Sequence, residues 1–288
     1  MIGEESPLTN LQLTPFCSSR FGLITLLLAA LAAHGCTTGK RVAATPPPRA
    51  DQIVMVVVTW NVHAGRADLP RFIDDLTQGR ITGTPVRDYT VLLQETIAGN
   101  RYDAVKVARE HQLWAYFQQV RESRQGTSGN AILSTATPLT ARTIVLPHIR
   151  RMRKAILATF EIDGQPLFIM NAHLENRVSW LKGGLFSDRA REEQAHALLR
   201  DVPPGFGILG GDFNTWLGSE EGALQALGRR FNRPADDVDV PTFANRLPLD
   251  HLFFDLPPHW SASRRVLDDR YGSDHHPVIG TIVRGSAS

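Results

Sequence analysis

The sequence predicts an α/β protein of the α+β type, with two packed, mixed and mainly antiparallel sheets flanked by helices. Two observations lead there. From Ile53 onward, short apolar, β-branched runs alternate with helical patterns. The triplet Asp163-Gly164-Gln165 lies between two apolar runs and signals a tight turn between neighbouring antiparallel strands. Hairpins and helices therefore coexist, an order that suits two packed sheets better than an all-parallel, doubly wound one.

Taken in order, strands are expected over Ile53 to Thr59, Thr90 to Gln94, Ala131 to Ser134, Thr143 to Leu146, Ala155 to Ile162, Leu167 to Ala172, Gly207 to Leu209, Leu252 to Phe254 and Val278 to Val283, each a short run rich in apolar and β-branched residues. Helical spacing is expected over Leu69 to Gln78, Tyr102 to His111, Ser187 to Leu199 and Ser219 to Leu227. No repeat or second linker interrupts the series before the final Gly-Ser-Ala-Ser, so residues 51–285 read as one domain.

What precedes that domain reads as a leader. Phe21 to Ala33 is an apolar run broken only by Gly22 and Thr25, preceded by Arg20 and followed by small residues, which is the layout of a secretory signal over residues 1–35. It falls short of the roughly 20 apolar residues that a bilayer-spanning helix needs. Its ending, Ala33-His34-Gly35-Cys36, resembles a bacterial lipoprotein signal, in which a lipidated Cys36 anchors the chain to a membrane. A plain cleaved signal or a short N-terminal anchor is the other reading. All of them export the protein, to the bacterial cell envelope as a lipoprotein, to the periplasm or outside the cell. Residues 36–50, with Pro46-Pro47-Pro48, read as an extended tether.

The composition restricts the chemistry. Of 288 residues, 42% are hydrophobic and 21% charged, with a formal charge of +2 that by itself marks no nucleic-acid binder. Both cysteines, Cys17 and Cys36, precede the domain, so the domain contains neither a disulfide nor a thiolate metal site. A metal there must sit on oxygen or imidazole, which points to magnesium, manganese or calcium and away from structural zinc.

Five polar clusters fall at the ends of strand candidates, where a sheet scaffold places its working groups. They are Thr59-Trp60-Asn61-Val62-His63, Leu93-Gln94-Glu95, Asn171-Ala172-His173-Leu174, Gly210-Gly211-Asp212-Phe213-Asn214, and Leu249-Asp250-His251 with Gly272-Ser273-Asp274-His275-His276-Pro277. Any one arises easily by chance; the ordered set is specific. It resembles the endonuclease/exonuclease/phosphatase superfamily of deoxyribonuclease I-like, metal-dependent phosphoesterases, and spans nearly the whole domain.

The resemblance implies a four-layer α/β/β/α sandwich and a role for each matching residue. Glu95 corresponds to the main metal-binding carboxylate, with Asn61 close by and Asp274 as a second carboxylate near the metal, for which Mg2+ is expected and Mn2+ or Ca2+ would also serve. Asp212 corresponds to the residue that aligns and deprotonates the attacking water, helped by Asn214. His275 corresponds to the histidine facing the scissile phosphate, Asp250 to its orienting partner, and His173 to a second histidine that stabilises the transition state. The substrate class is a phosphate ester, of nucleic acid or a phospholipid head group, and the protein is expected to be a monomer. A sphingomyelinase-like phospholipid phosphodiesterase, an inositol-phosphate phosphatase and an inactive phosphate-binding module are the alternatives.

Other residues are ambiguous from sequence. His251 and His276 read as neighbours of the reactive groups, and His63 as a supporting residue behind them. The basic run Arg150-Arg151-Met152-Arg153-Lys154 either lines the phosphate mouth or is a solvated loop, and Arg177 and Trp180 sit in a segment, Glu175 to Phe186, expected to set the substrate.

Overall fold

The computed structural model describes residues 52–123, 126–148, 152–176, 186–231 and 240–285. The leader, the tether with Cys36, and the residues Arg150, Arg151, Arg177 and Trp180 lie outside the described residues. In chain order the elements are β1 (Ile53–Asn61), α1 (Leu69–Thr77), β2 (Tyr89–Ala98), α2 (Ala104–Glu110), β3 (Trp114–Ser123), β4 (Gly126–Ser134), β5 (Thr140–Leu146), β6 (Arg153–Ile162), β7 (Gln165–His173), α3 (Phe186–Asp201), β8 (Phe206–Asp212), α4 (Gly222–Gly228), β9 (Asp250–Asp255), β10 (Trp260–Val266) and β11 (Val278–Arg284). A 3-10 turn, Gly218–Glu220, precedes α4 and divides the helix that the sequence predicts as continuous from Ser219.

The strands form two mixed sheets, one of six in the order β10-β11-β1-β2-β4-β3 and one of five in the order β5-β6-β7-β8-β9. Most pairings are antiparallel; β1 with β2 and β7 with β8 run parallel. The expected hairpin is present, Ile162 facing Gln165 across Asp163 (φ 52°) and Gly164 (φ 69°). Two consecutive positive φ values are what a tight turn needs to match the twist of its strands.

Three apolar layers account for the four-layer arrangement. Val56, Val58 and Trp60 of β1 pack outward with Leu69, Phe72 and Ile73 of α1 and Val107 of α2. Met55 and Val57, at the alternate positions, face Ile156, Ile169 and Ile208 of the other sheet. That second sheet turns Leu157, Met170 and Leu209 outward onto Leu198 of α3 and Leu224 of α4. Alternation along each strand, with period two, thus separates helix-facing from sheet-facing residues. Gly210 sits where a Cβ would fall 2.6 Å from Leu92 and 2.8 Å from Leu252, so the sheets approach closely there only because the residue is glycine.

The sequence reading missed β3 and β10, and they are the two edges of the six-stranded sheet. An edge strand has one neighbour and a wetter surface, so β3 follows its short Trp-Ala-Tyr-Phe start with Gln-Gln-Val-Arg-Glu-Ser, and β10 reads Trp-Ser-Ala-Ser-Arg-Arg-Val with no apolar run.

Under α3 the fold buries an ion pair. Arg191 donates through Nε and Nη2 to the two carboxylate oxygens of Glu221, at 2.8 and 2.7 Å, with side chains 2% and 0% exposed. Burial holds the Glu221 carboxyl above its usual range even though Arg191 opposes the shift, so the pair only partly offsets its own desolvation. Arg191→Met alone is expected to cost about 3–5 kcal/mol, because it strands a buried charge, whereas adding Glu221→Leu should restore most of it. Chemical denaturation of the two variants checks this; equal losses in both would show that packing, not the orphaned charge, sets the cost.

Candidate active site

The candidate residues converge because of strand parity. Asn61 shares the inward side of β1 with Met55 and Val57, His173 that of β7 with Leu167 and Ile169, Asp212 that of β8 with Ile208, and Asp250 that of β9 with Leu252. All four lie at the same end of the gap between the sheets, where β1, β7 and β8 finish and β9 begins. A polar layer closes the core below them: Gln94 Nε2 donates to Asn171 Oδ1 at 2.8 Å and to Thr59 Oγ1 at 3.1 Å, and Asn171 Nδ2 donates to the carbonyls of Leu93 and Ala131.

Glu95 reaches the same place by a different device. The pairing of β2 with β4 shifts between Leu93 and Thr96, and Glu95 has φ 58°. A bulge of this kind breaks the alternation and re-aims one side chain. Here it brings the carboxylate into the cavity, where Oε2 accepts from Ala64 N at 3.2 Å.

Asp212 is the hub. Its Oδ2 accepts from Asn61 Nδ2 at 2.9 Å and lies 3.5 Å from His173 Nε2 and 4.0 Å from His275 Nε2, while Oδ1 accepts from Asn214 N at 3.0 Å. His275 Nδ1 is 2.7 Å from Asp250 Oδ2, and Asp250 is fully buried. Ser273 clasps the first cluster to the last, its hydroxyl donating to Asn61 O at 2.7 Å and accepting from His275 N at 3.0 Å. Trp60 Nε1 donates to His275 O at 3.2 Å, a second link between the same two segments.

Charge separates the three titrating groups. Burial, reinforced by the charge of Asp250, raises the Asp212 carboxyl to about 7 against the pull of His275, Asn61 and Asn214. Burial acts against the His275 cation, yet the charge and hydrogen bond of Asp250, with Asp212 and Asp274, lift the imidazole to about 10. His173 moves the other way, well below 6.5, because burial and then the charges of Arg153 and His275 disfavour its cation. At neutral pH the site therefore holds one imidazolium, one neutral imidazole and one carboxylate poised to exchange a proton.

A cavity of about 240 Å3 opens above this set, lined by Asn61, Glu95, His173, Asp212, Asn214, Asp274 and His275. The structure thus brings seven of the eight predicted residues to one surface, and the eighth, Asp250, supports His275 from behind. Asp274 stands at the rim, 3.4 Å from His63 Nδ1. His251 turns away to Thr215 Oγ1, and His276 to Leu267 O and Asn245. Sequence reasoning missed Phe243, whose ring centroid is 4.7 Å from that of His275, and Trp216 and Asn176 in the cavity wall. Isolated residues between motifs carried no signal; Ser273 did, inside the quoted Gly-Ser-Asp-His-His string.

Two donor sets compete for a divalent cation. Asp212, Asp250 and His275 offer ligand atoms within 4.8 Å of one another. In that set His275 Nδ1 and Asp250 Oδ2, 2.7 Å apart, already satisfy each other. Glu95, Asn61 and Asp274 suit a cation better: the donors are hard oxygens, and the cavity sets the carboxylates of Glu95, Asp212 and Asp274 against the His275 cation. On this assignment Glu95→Gln is expected to weaken Mg2+ or Mn2+ binding by at least about tenfold, the scale of losing even an outer support of a metal site, with the fold intact. Calorimetric titration with each ion measures it, and undiminished affinity would move the cation to the other set.

A sandwich of two mixed sheets carrying a carboxylate hub, an Asp-supported histidine and an oxygen-donor set defines a phosphoesterase scaffold. Residues 58–275 match the Endonuclease/Exonuclease/phosphatase family, and the chain belongs to that family of phosphate-ester hydrolases, whose members typically depend on a divalent metal. It is 30% identical over 146 residues to a UPF0294 protein of Vibrio cholerae, an alignment covering 48% of each chain, so it spans about half the length of the curated relatives it matches. Among solved structures, an endonuclease/exonuclease/phosphatase from Beutenbergia cavernae superposes with a TM-score of 0.61 at 19% identity, over 81% of this chain and 72% of that one. The catalytic domain of human Nocturnin, solved with a bound sulfate anion, gives 0.59 at 19% identity, over 80% and 94%. These likenesses establish the fold.

Proposed function

We propose that the protein is an exported, divalent-metal-dependent phosphodiesterase, nuclease-like in its chemistry, that hydrolyses its ester by in-line attack of an activated water. One observation carries the reading: Asp212 Oδ2 stands within 2.9–4.0 Å of Asn61, His173 and His275, with its carboxyl raised to about 7. A base poised near the working pH is the efficient choice for taking a proton from water.

The chain's own groups divide the work. Asn61 and the backbone of Asn214 hold the Asp212 carboxylate in one orientation, and Asp212 takes the proton of the attacking water. The His275 imidazolium, fixed by Asp250, and the neutral His173 donate hydrogen bonds to the non-bridging oxygens, whose charge grows in the transition state. Glu95, with Asn61 and Asp274, would hold a divalent cation that, when bound, adds positive charge at those oxygens and at the leaving oxygen. The reading for export rests on the apolar run ending at Cys36, and cell fractionation with and without residues 1–35 tests it: unchanged location removes it.

The test of activity is a panel with magnesium or manganese, including plasmid DNA, short oligonucleotides, sphingomyelin vesicles and inositol phosphates, with chelator as control. Chelator-sensitive cleavage that disappears in Asp212→Ala with the fold intact is the expected result. No turnover of any ester would leave a phosphate-binding module as the better account.

A further inference from the structure

A second, larger hollow of about 460 Å3 adjoins the catalytic cavity, and Glu95 and His173 belong to the walls of both. Its size falls within the roughly 300–1,000 Å3 typical of ligand pockets. Two bulges create it: β2 shifts register at Glu95 and β3 shifts between Gln119 and Arg121, both opposite the Ser128–Asn130 stretch of β4. Both pairings resume beyond the shifts, so the three strands stay joined there, and the first residues of β6 complete the wall. Gly129, between the bulges, has no room for a side chain, since a Cβ would lie 2.0 Å from Gln118 O.

Charge indicates what the hollow takes. Arg121, Arg153 and Lys154 line it with Glu95 as the one lining carboxylate, and since the buried Glu175 balances Arg153 from behind, the charges of Arg121 and Lys154 stand against that of Glu95. Arg153 is only 7% exposed; its Nη2 lies 3.5 Å from Glu175 Oε1, and its Nε has no hydrogen-bond partner among the described residues. That Nε is itself buried, so what Arg153 offers an anion in the hollow is its charge and its small exposed part, not this N–H. The surroundings are already held: Lys154 Nζ donates to Gln119 O at 2.9 Å, and Asn130 Nδ2 donates to Lys154 O at 2.9 Å. Ile97, Val120 and Met152 give the same hollow an apolar wall against which a base can lie. Apart from the His173 imidazole no ring lines it among the described residues, whereas a quaternary ammonium head group is recognised by aromatic faces and repelled by cations.

We propose that this hollow is a subsite for the phosphate adjacent to the scissile one, so that the substrate is a nucleic-acid strand and not a phosphodiester with a cationic head group. The inference rests on the phosphodiesterase reading above and narrows it. Arg153 grips the neighbouring phosphate from the floor, Lys154 and Arg121 do so from the walls, and the shared Glu95–His173 partition sets the spacing between the two phosphates.

The test uses the full chain carrying Asp212→Asn, which is expected to bind without cleaving. Calorimetry compares the dinucleotide TpT with pTpT and TpTp, which carry one phosphate more. At least one of the longer ligands is expected to bind about tenfold or more tighter than TpT, the scale of one charge-assisted contact. Adding Arg121→Gln and Lys154→Gln, both away from the buried core, should shrink that difference to less than threefold, and in the cleaving enzyme the loss should fall on KM and leave kcat nearly unchanged. Equal binding of all three ligands, an advantage that survives the double substitution, or faster turnover of sphingomyelin vesicles than of oligonucleotides would overturn the subsite while leaving phosphodiester hydrolysis standing. Failure of every ligand to bind, together with no cleavage of any ester, would remove both.

Discussion

Asp212→Asn is expected to abolish nearly all turnover, by roughly a thousandfold or more, and at the same time to make the protein more stable. The first effect follows from the general-base role proposed for Asp212, since a positioned general base alone contributes about 10²–10⁴-fold and this carboxylate is also hydrogen-bonded to the groups around it. The second follows from burial. The carboxyl sits at about 7 in the folded protein against 3.8 for the free side chain, so folding favours the protonated form. Above pH 7 the group is ionised in both states and the folded protein carries the full cost; as pH falls from 7 toward 3.8 that cost disappears. Asparagine keeps the shape and cannot ionise. At about 1.4 kcal/mol per unit the shift, which already includes the attraction of His275, sets an upper limit near 4 kcal/mol on the gain. Denaturation in chelator should show the gain at pH 8 and little of it at pH 4. A variant equally inactive but no more stable at pH 8 would mean that Asp212 is not strained by its surroundings.

Removing the charge of Asp250 should be nearly as damaging although Asp250 lines no part of the cavity. Asp250→Asn leaves a side chain of the same shape 2.7 Å from His275 Nδ1 but takes away the negative charge that lifts the imidazole to about 10 against its burial. The imidazole should then be neutral at pH 7.5, with its tautomer no longer specified, and turnover should fall by roughly 10³–10⁴-fold, the scale seen when an orienting carboxylate of this kind becomes an amide. Ring nitrogen chemical shifts measure the charge state directly. In the parent protein they should report an imidazolium up to about pH 10. His275 therefore contributes stability that is fully present below 6.5 and lost as pH rises through about 10. An imidazole that remains charged at pH 7.5 in the variant would show that Asp212 and Asp274, not Asp250, hold the proton.

The legible strands were those that carry a run of apolar or β-branched residues, including β5 at the edge of the five-stranded sheet. Strands β1, β7, β9 and β11 declared themselves as apolar runs, whereas β3 and β10, with polar residues along open edges, did not. Among the site groups, those at inward strand ends came in short strings whose order was informative. Asp250 was visible in this way; its complete burial was not, because burial is a product of tertiary packing, in which Arg264 reaches across from β10 to donate to Asp250 O at 3.0 Å. Arg153 shows the same limit. In the sequence it belongs to a basic run that reads equally well as a solvated loop, and only the convergence of β2, β3, β4 and β6 turns it into a buried cation beside Glu95 and His173. Contacts made between motifs, such as Phe243 against His275, depend on tertiary packing and leave no local pattern.

The clasp between the two ends of the domain bears on when the protein becomes competent during its synthesis. Strand β1 lies between β2 and β11, and the Trp60 and Ser273 bonds join segments more than 200 positions apart. Contacts of such separation form late, because a long loop must close before they are made. A ribosome that has emitted Asn61, Glu95, His173 and Asp212 has yet to emit Asp250 and His275. The scissors gain their second blade only when the final strand slots in beside the first, so a hydrolytic centre is withheld from unfinished chains by topology alone.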